Sequence, residues 1–220
     1  MKKFKVTLTP VTQYVIGQSV PCEKKVEFNY GLYPTKKFVP ISSIKGLLRT
    51  AAVYSQGENS CEFVTSRICR GDEDLVRTCS DIQDMFENLS PASQQCRESL
   101  KEYRDKFSSP CIVCRVFGNG KVRGKMRILG DNVEIKNLRE VGNLRFSYNF
   151  LESRHPKYEG LKVEASNAKV EFEVLCSDHE CEKLLREAIK VINNGLVRLG
   201  RFKSRGFGIV KASLTEVTSR

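Results

Sequence analysis

The sequence predicts an α+β fold, a ferredoxin-like core carrying large insertions. Three observations point there. Segments near the two ends alternate apolar and polar residues as half-buried strands do. Two further segments carry apolar stripes at helical spacing. The order of these elements is strand, helix, strand, strand, helix, strand.

In residues 2–9, Phe4, Val6 and Leu8 face one way and Lys3, Lys5 and Thr7 the other. Residues 10–40 have no clean period and contain Pro10, Pro21, Pro34 and Pro40, so they read as a long loop, with a hairpin around Val26 to Phe28. A helix follows Pro40. Ile44, Leu47, Leu48, Ala51 and Ala52 form its stripe, Ser42 or Ser43 its cap, and Gly57 its end. The next stretch, to about residue 125, is polar and cysteine-rich and reads as an insertion, with Cys96, Leu100, Tyr103 and Phe107 on one short amphipathic helix. A second strand region runs from Met126 to about Ile135, followed by a loop. Val170, Phe172, Val174 and Cys176 alternate in a third strand. A last helix spans His179 to Asn194, capped by Asp178 and ended by Gly195, and a final strand runs through Phe207 to Leu214.

Hydrophobic residues make up 40% of the 220, enough to fill a core. No apolar run approaches the ~20 residues of a membrane span, and the amino end lacks the continuous apolar stretch of a secretory signal. The expectation is a cytoplasmic protein. A net charge of +11 points to a polyanion, nucleic acid before membrane. Nine cysteines at irregular spacing argue against a simple secreted disulfide framework.

Three segments carry chemistry. In Pro40 to Arg49, Ser42 and Ser43 open a helix that carries Lys45 and Arg49. Free N–H groups and a positive dipole end favour phosphate there; the plainer reading is a capped helix with solvated cations. In Gly195 to Gly208, Arg198, Arg201, Lys203 and Arg205 come with Ser204, Gly200, Gly206 and Gly208 and with no acid. The glycines let backbone approach a ligand, and Phe202 and Phe207 either stack on bases or pack in the core. In Cys111 to Gly118, Cys111 and Cys114 have the spacing of two zinc ligands, half of a tetrahedral site. Cys69 and Cys96 are the chosen completing pair, with Cys79 and Cys61 also available. Paired thiols and free buried cysteines are the competing readings. Arg115, Lys121, Arg123, Lys125 and Arg127 follow without an acid and read as further RNA-contacting surface or a solvated hairpin. Isolated His155 and His179 and the acidic run Asp72, Glu73, Asp74 read as surface.

Together these segments resemble the repeat-associated (RAMP) superfamily of CRISPR-associated proteins, most closely the backbone subunits of type III (Csm/Cmr-like) effector complexes. The resemblance rests on Pro-x-Ser-Ser-x-Lys-Gly-x-x-Arg from Pro40, Cys-x-x-Cys-Arg-x-Phe-Gly from Cys111 and the glycine-rich loop Gly200 to Gly208, in that order. It implies one RAMP domain over residues 1–220, with a first-strand loop insertion at about 10–40 and a Cys-rich insertion at about 57–125. It implies guide RNA and target RNA as ligands, and other effector subunits, including copies or paralogues of this chain, as partners. Ser42, Ser43, Lys45, Arg49 and the loop Arg201 to Phe207 would lie near the guide backbone, and residues 15–37 would take the place of a loop that inserts into the guide–target duplex. Base pairing would read sequence while protein grips backbone and shape.

The chain departs from the family pattern in two respects. Cleaving relatives carry an aspartate in the first loop, whereas residues 10–40 here contain no aspartate and no histidine. Ile41 also replaces a glycine of the common Pro-Gly-Ser-Ser form. Four readings follow. One is a binding and scaffold subunit without chemistry of its own. The second is a Mg²⁺-dependent endoribonuclease cutting target RNA with Glu23, Glu27 or an acid of residues 57–90. The third is a guide-processing endonuclease using Tyr30 or Tyr33. The smallest is a general RNA-binding module outside CRISPR.

Overall fold

The computed structural model describes residues 1–17, 35–69, 78–87, 94–144 and 161–217. Its main sheet is organised by β1 (Lys2–Pro10), whose Phe4, Val6 and Leu8 are fully buried while Lys3 and Lys5 face outward. Each such buried side chain contributes about 1.5–3 kcal/mol, and a slip of one residue would turn the whole apolar set to solvent. The alternation therefore fixes the register. On one side β1 pairs antiparallel with β7 (Val170–Cys176), placing Val6 opposite Phe172; on the other it pairs antiparallel with β8 (Val210–Val217), placing Leu8 opposite Ala212. β3 (Met126–Leu129) adds to β7, giving the strand order β3-β7-β1-β8. With α1 (Ile41–Gln56) between β1 and β3, and α6 (His179–Asn193) between β7 and β8, this is the antiparallel ferredoxin-like arrangement.

Both helices pack their apolar stripes into one core cluster with the sheet: Ile44, Leu48, Ala51 and Ala52 from α1, and Leu184, Leu185, Ala188 and Ile192 from α6. Asp178 caps α6 as expected, its carboxylate accepting from Cys181 N at 3.0 Å. The capping of α1 is a correction. The helix starts directly after Pro40, at Ile41, as expected, but neither Ser42 nor Ser43 caps it. The Ile41 N–H donates instead to Asn132 Oδ1 at 3.2 Å, a partner from far along the chain, which leaves both serines inside the first turn. Gly57 ends α1 with φ 51°, as the sequence predicts.

The Cys-rich segment is helical: α2 (Cys61–Ile68), α3 (Cys79–Glu87), α4 (Gln94–Leu100) and α5 (Ile112–Phe117). Leu100 and Phe107 reach the same core as the sheet. The single strand expected over Met126 to Ile135 is broken after Leu129 by Gly130, at φ 89°. β4 (Val133–Glu134) then pairs with β2 (Phe38–Val39), bringing the residues before α1 beside this turn. A further pair, β5 (Arg139–Leu144) with β6 (Leu161–Ala165), stands where the sequence reads as loop. Among the described residues, no helix is long and apolar enough to cross a membrane.

Candidate nucleic-acid interface and cysteine cluster

The chain from Val11 to Gly17 leaves β1 and runs beside the glycine-rich loop that precedes β8. Arg201 N donates to Val15 O and Gly208 N to Gln13 O, both at 2.8 Å. The Thr12 hydroxyl donates to Gly206 O at 2.8 Å and accepts from Ile209 N at 3.0 Å. Two glycines make this approach geometrically possible. A Cβ at Gly200 (φ 83°) would stand 2.1 Å from Val15 O, and one at Gly208 (φ 80°) 2.0 Å from Leu199 O. Sequence pattern assigns these glycines to ligand approach; in the fold they serve backbone against backbone.

The clasp places the loop across the first turn of α1 and leaves a cleft of about 370 Å³ between them. Ser42, Ser43 and Gly46 line one wall and Val197, Arg198, Gly200, Arg201 and Lys203 the other, with Ile16, Gly17 and Lys36 at the margin. No lining residue is acidic, so a helix N-terminus, the hydroxyls of Ser42, Ser43 and Thr50 and four cations meet in one groove, chemistry suited to phosphate. Lys45 is exposed on the same turn but outside the lining. Ser204 lines an adjoining depression of about 410 Å³ with Tyr54, Leu196 and Arg198. Arg205 ends the short 3₁₀ turn Lys203–Arg205.

Other expected contact residues stand elsewhere. Phe207 packs edge-on against Phe202, centroids 6.4 Å apart, and both lie against Val15, Val163 and Ala165, so the packing reading holds in this structure. Phe202 takes φ 56°, a left-handed conformation that bulky side chains rarely adopt. Arg49 is half-buried and turned away from the cleft: Nε donates to Glu62 Oε2 and Nη1 to Gly118 O, each at 2.8 Å. Burial disfavours its charge, but Glu62 more than offsets this and its pKa rises. The basic stretch after Cys114 has its acids in space. Arg115 pairs with Glu180, Lys121 with Asp84 at 2.7 Å, and Lys125 with Asp178 at 2.8 Å and Glu180 at 2.7 Å. Arg123 is exposed on the turn before β3, outside the cleft lining. His179 is exposed. Glu23, Glu27, Tyr30, Tyr33, the acidic run 72–74 and the hairpin around residue 26 lie outside the described residues.

The metal set needs correction. Cys69 and Cys96 pair with each other in a disulfide, and Cys176 with Cys181 in another. The thiols that join Cys111 and Cys114 are Cys61 and Cys79. Cys61 opens α2, Cys79 opens α3 and Cys111 precedes α5, so three helix starts converge. All four sulfurs lie within 4.8 Å of one another, and Cys61 Sγ is 3.6 Å from both Cys111 Sγ and Cys114 Sγ. A tetrahedral ion with bonds of about 2.3 Å would space its sulfurs about 3.8 Å apart, so the quartet fits a metal. The four are buried, at 0, 3, 8 and 0% exposure for Cys61, Cys79, Cys111 and Cys114. The Cys111 N–H donates to Cys79 Sγ at 3.2 Å, a bond that suits a thiolate acceptor. Close contact with the Cys114 and Cys61 thiols lowers the Cys111 pKa, while the contact with Cys111 raises that of Cys61. One CxxC was legible as half a site; its completing members, 50 and 32 residues upstream of Cys111, carry no spacing signal.

A search of curated proteins returned no match. Of solved structures, a chain of a type IV-B CRISPR complex is similar with a TM-score of 0.50 at 12% identity, over 99% of this chain and 92% of that one. A chain of type III-B Cmr-beta bound to cognate target RNA is similar with a TM-score of 0.49 at 12% identity, over 99% of this chain; this chain spans 61% of that one. The RAMP superfamily matches over residues 7–211, nearly the whole length, and the chain belongs to that superfamily.

Proposed function

We propose that this chain is an RNA-binding backbone subunit of a type III CRISPR interference complex, gripping guide RNA and guide–target duplex in antiviral defence. The observation that carries this reading is the acid-free cleft, where Ser42 and Ser43 at the start of α1 face Arg198, Arg201 and Lys203 across the groove. Such a groove takes the sugar–phosphate backbone of a strand and leaves base edges to a complementary strand. Membership of the superfamily supports it, and a chain of a type IV-B CRISPR complex shares the fold. Lys45, Ser204 and Arg205 extend the same surface; Arg123 would meet RNA only at a separate point. The whole chain acts as one RAMP domain, with RNA and sister subunits as partners. The cysteine quartet holds structural zinc, a folding element and not a reaction centre.

The test is RNA association across salt, with single-stranded guide-like RNA and duplex DNA as ligands and assembly state followed on the same samples. Salt-sensitive single-strand binding that grows into ordered multimers with RNA length is expected. Binding as a single copy to a structured repeat would replace this reading with guide processing, and metal-dependent cutting of a paired target in the assembled complex would add nuclease activity to it.

A further inference from the structure

The acid-free cleft does not end at the first turn of α1. The depression of about 410 Å³ continues it along the helix, and Thr50, Val197, Arg198 and Lys203 line both hollows. Ser43, Gly46, Thr50 and Tyr54 fall at the three- and four-residue steps that share one helix face. The groove therefore runs along that face, from hydroxyls at its start to an aromatic ring at its end. Tyr54 is 52% exposed, the most exposed aromatic side chain among the described residues, and Leu196, which lines the same depression, is 65% exposed. The ring is braced all the same. It meets Phe63 of α2 with centroids 6.3 Å apart and planes at 80°, an edge-to-face contact that takes at most one face of the Tyr54 ring.

We propose that Tyr54 is the stacking platform for one nucleobase of the RNA strand whose phosphates lie in the cleft, with Leu196 flanking that base. The inference rests on the RNA-binding reading above and deepens it, because a phosphate groove could exist with no base site beside it. A single strand asks for two chemistries along its path, cations for its phosphates and flat apolar surface for its bases. The two hollows supply both, and Arg198 and Lys203 join them. Every base has a π-face, so the platform adds affinity without reading sequence. The same two cations argue against the apolar surface of a neighbouring subunit as the occupant. Such a surface would strip water from Arg198 and Lys203 and leave them unpaired, whereas the phosphate next to a stacked base satisfies them.

The experiment titrates a single-stranded oligouridylate into the full chain across salt, following affinity, tyrosine emission and assembly state. The proteins are wild type, Tyr54→Ala, Tyr54→Phe, Leu196→Ala and Arg201→Ala. The chain has no tryptophan, so its emission reports tyrosine. Wild type is expected to bind with its emission quenched. Tyr54→Ala should bind about 5- to 100-fold more weakly with the salt slope of wild type, since a stacked base releases no counterions. Tyr54→Phe keeps the ring and should recover most of the affinity, yet lose the part of the quench that belongs to residue 54. Leu196→Ala should bind about 2- to 5-fold more weakly, and it carries the test where Tyr54→Ala does not fold. Arg201→Ala should flatten the salt slope by about 0.7 and keep the quench. A wild-type protein that binds no single strand sinks the RNA reading itself. Tyr54→Ala and Leu196→Ala that match wild type, while Arg201→Ala flattens the slope, leave that reading standing and overturn the platform. A Tyr54→Ala loss that comes with a shallower slope also overturns it, because the residue then only shapes the phosphate groove. So do variants that bind RNA normally but no longer multimerise as its length grows, which would assign Tyr54 and Leu196 to a neighbouring subunit.

Discussion

The glycine-rich loop and the stretch after Cys114 look alike on paper, since each strings together several cations with no acid between them. In the fold they part. Around the cleft no lining residue is acidic, and among the described residues no ion pair involves Arg198, Arg201 or Lys203. After Cys114, Arg115, Lys121 and Lys125 each meet a carboxylate from α3 or from the start of α6. Local sequence counts neighbours along the chain, whereas Coulomb's law counts neighbours in space. Cations left without an acid keep an attraction for an external polyanion; cations already paired have spent most of theirs on the fold.

The largest effect that tests this contrast lies on the paired side. Changing both Cys111 and Cys114 to serine is expected to cost at least about 3 kcal/mol, roughly 6–12 °C in Tm for a chain of this size, and to abolish bound metal. Cys69→Ser should leave metal content at the wild-type level, because Cys69 is paired with Cys96. Loss of metal in Cys69→Ser would return that residue to the ligand set. Next in size is Gly200→Ala, which sets a methyl against Val15 O at a backbone conformation that side chains avoid. A cost of about 1–3 kcal/mol, read by thermal melting, should come with weaker RNA binding as the loop leaves α1. A neutral Gly200→Ala would mean that the clasp does not shape the cleft.

On the cleft side, Arg201→Ala and Lys203→Ala should each weaken single-stranded RNA binding and flatten the salt slope by about 0.7 for each phosphate left unneutralised. Lys121→Ala should change neither, since its ammonium already serves Asp84 at 2.7 Å. Equal losses in all three variants would erase the distinction between the two regions.

The core was legible where periodicity is local. The alternation of Phe4, Val6 and Leu8 and the stripes of α1 and α6 report burial directly, and the strand order follows from their sequence. What stayed hidden depends on distant partners. The cap of α1 comes from Asn132, and the quartet is completed by cysteines that no spacing rule links to Cys111. Arg49 lies on the apparent RNA helix yet answers to Glu62. β5 and β6 escaped notice because Arg139 to Leu144 lacks clean alternation and its partner strand begins at Leu161.

The smallest expected effect concerns acid. Glu180 is bonded to Arg115 and Lys125, and Asp178 to Lys125; Arg115 foremost lowers the Glu180 pKa, and Lys125 foremost lowers that of Asp178. A carboxylate whose folded pKa is depressed adds stability above its unfolded value, near 4.3 for glutamate, and loses it as pH falls through the folded value. Melting temperature should therefore be insensitive to these groups from about pH 5 to 8 and decline below about pH 4. Glu180→Gln removes one of them, at a cost of at most about 1 kcal/mol near neutrality because the pair is partly exposed. The gap between variant and wild type should close as pH drops through the acid limb, since protonation makes the two alike. A gap that stayed constant to pH 3 would mean that Glu180 acts through packing, and that the paired region owes its order to the cysteine quartet and not to its charges.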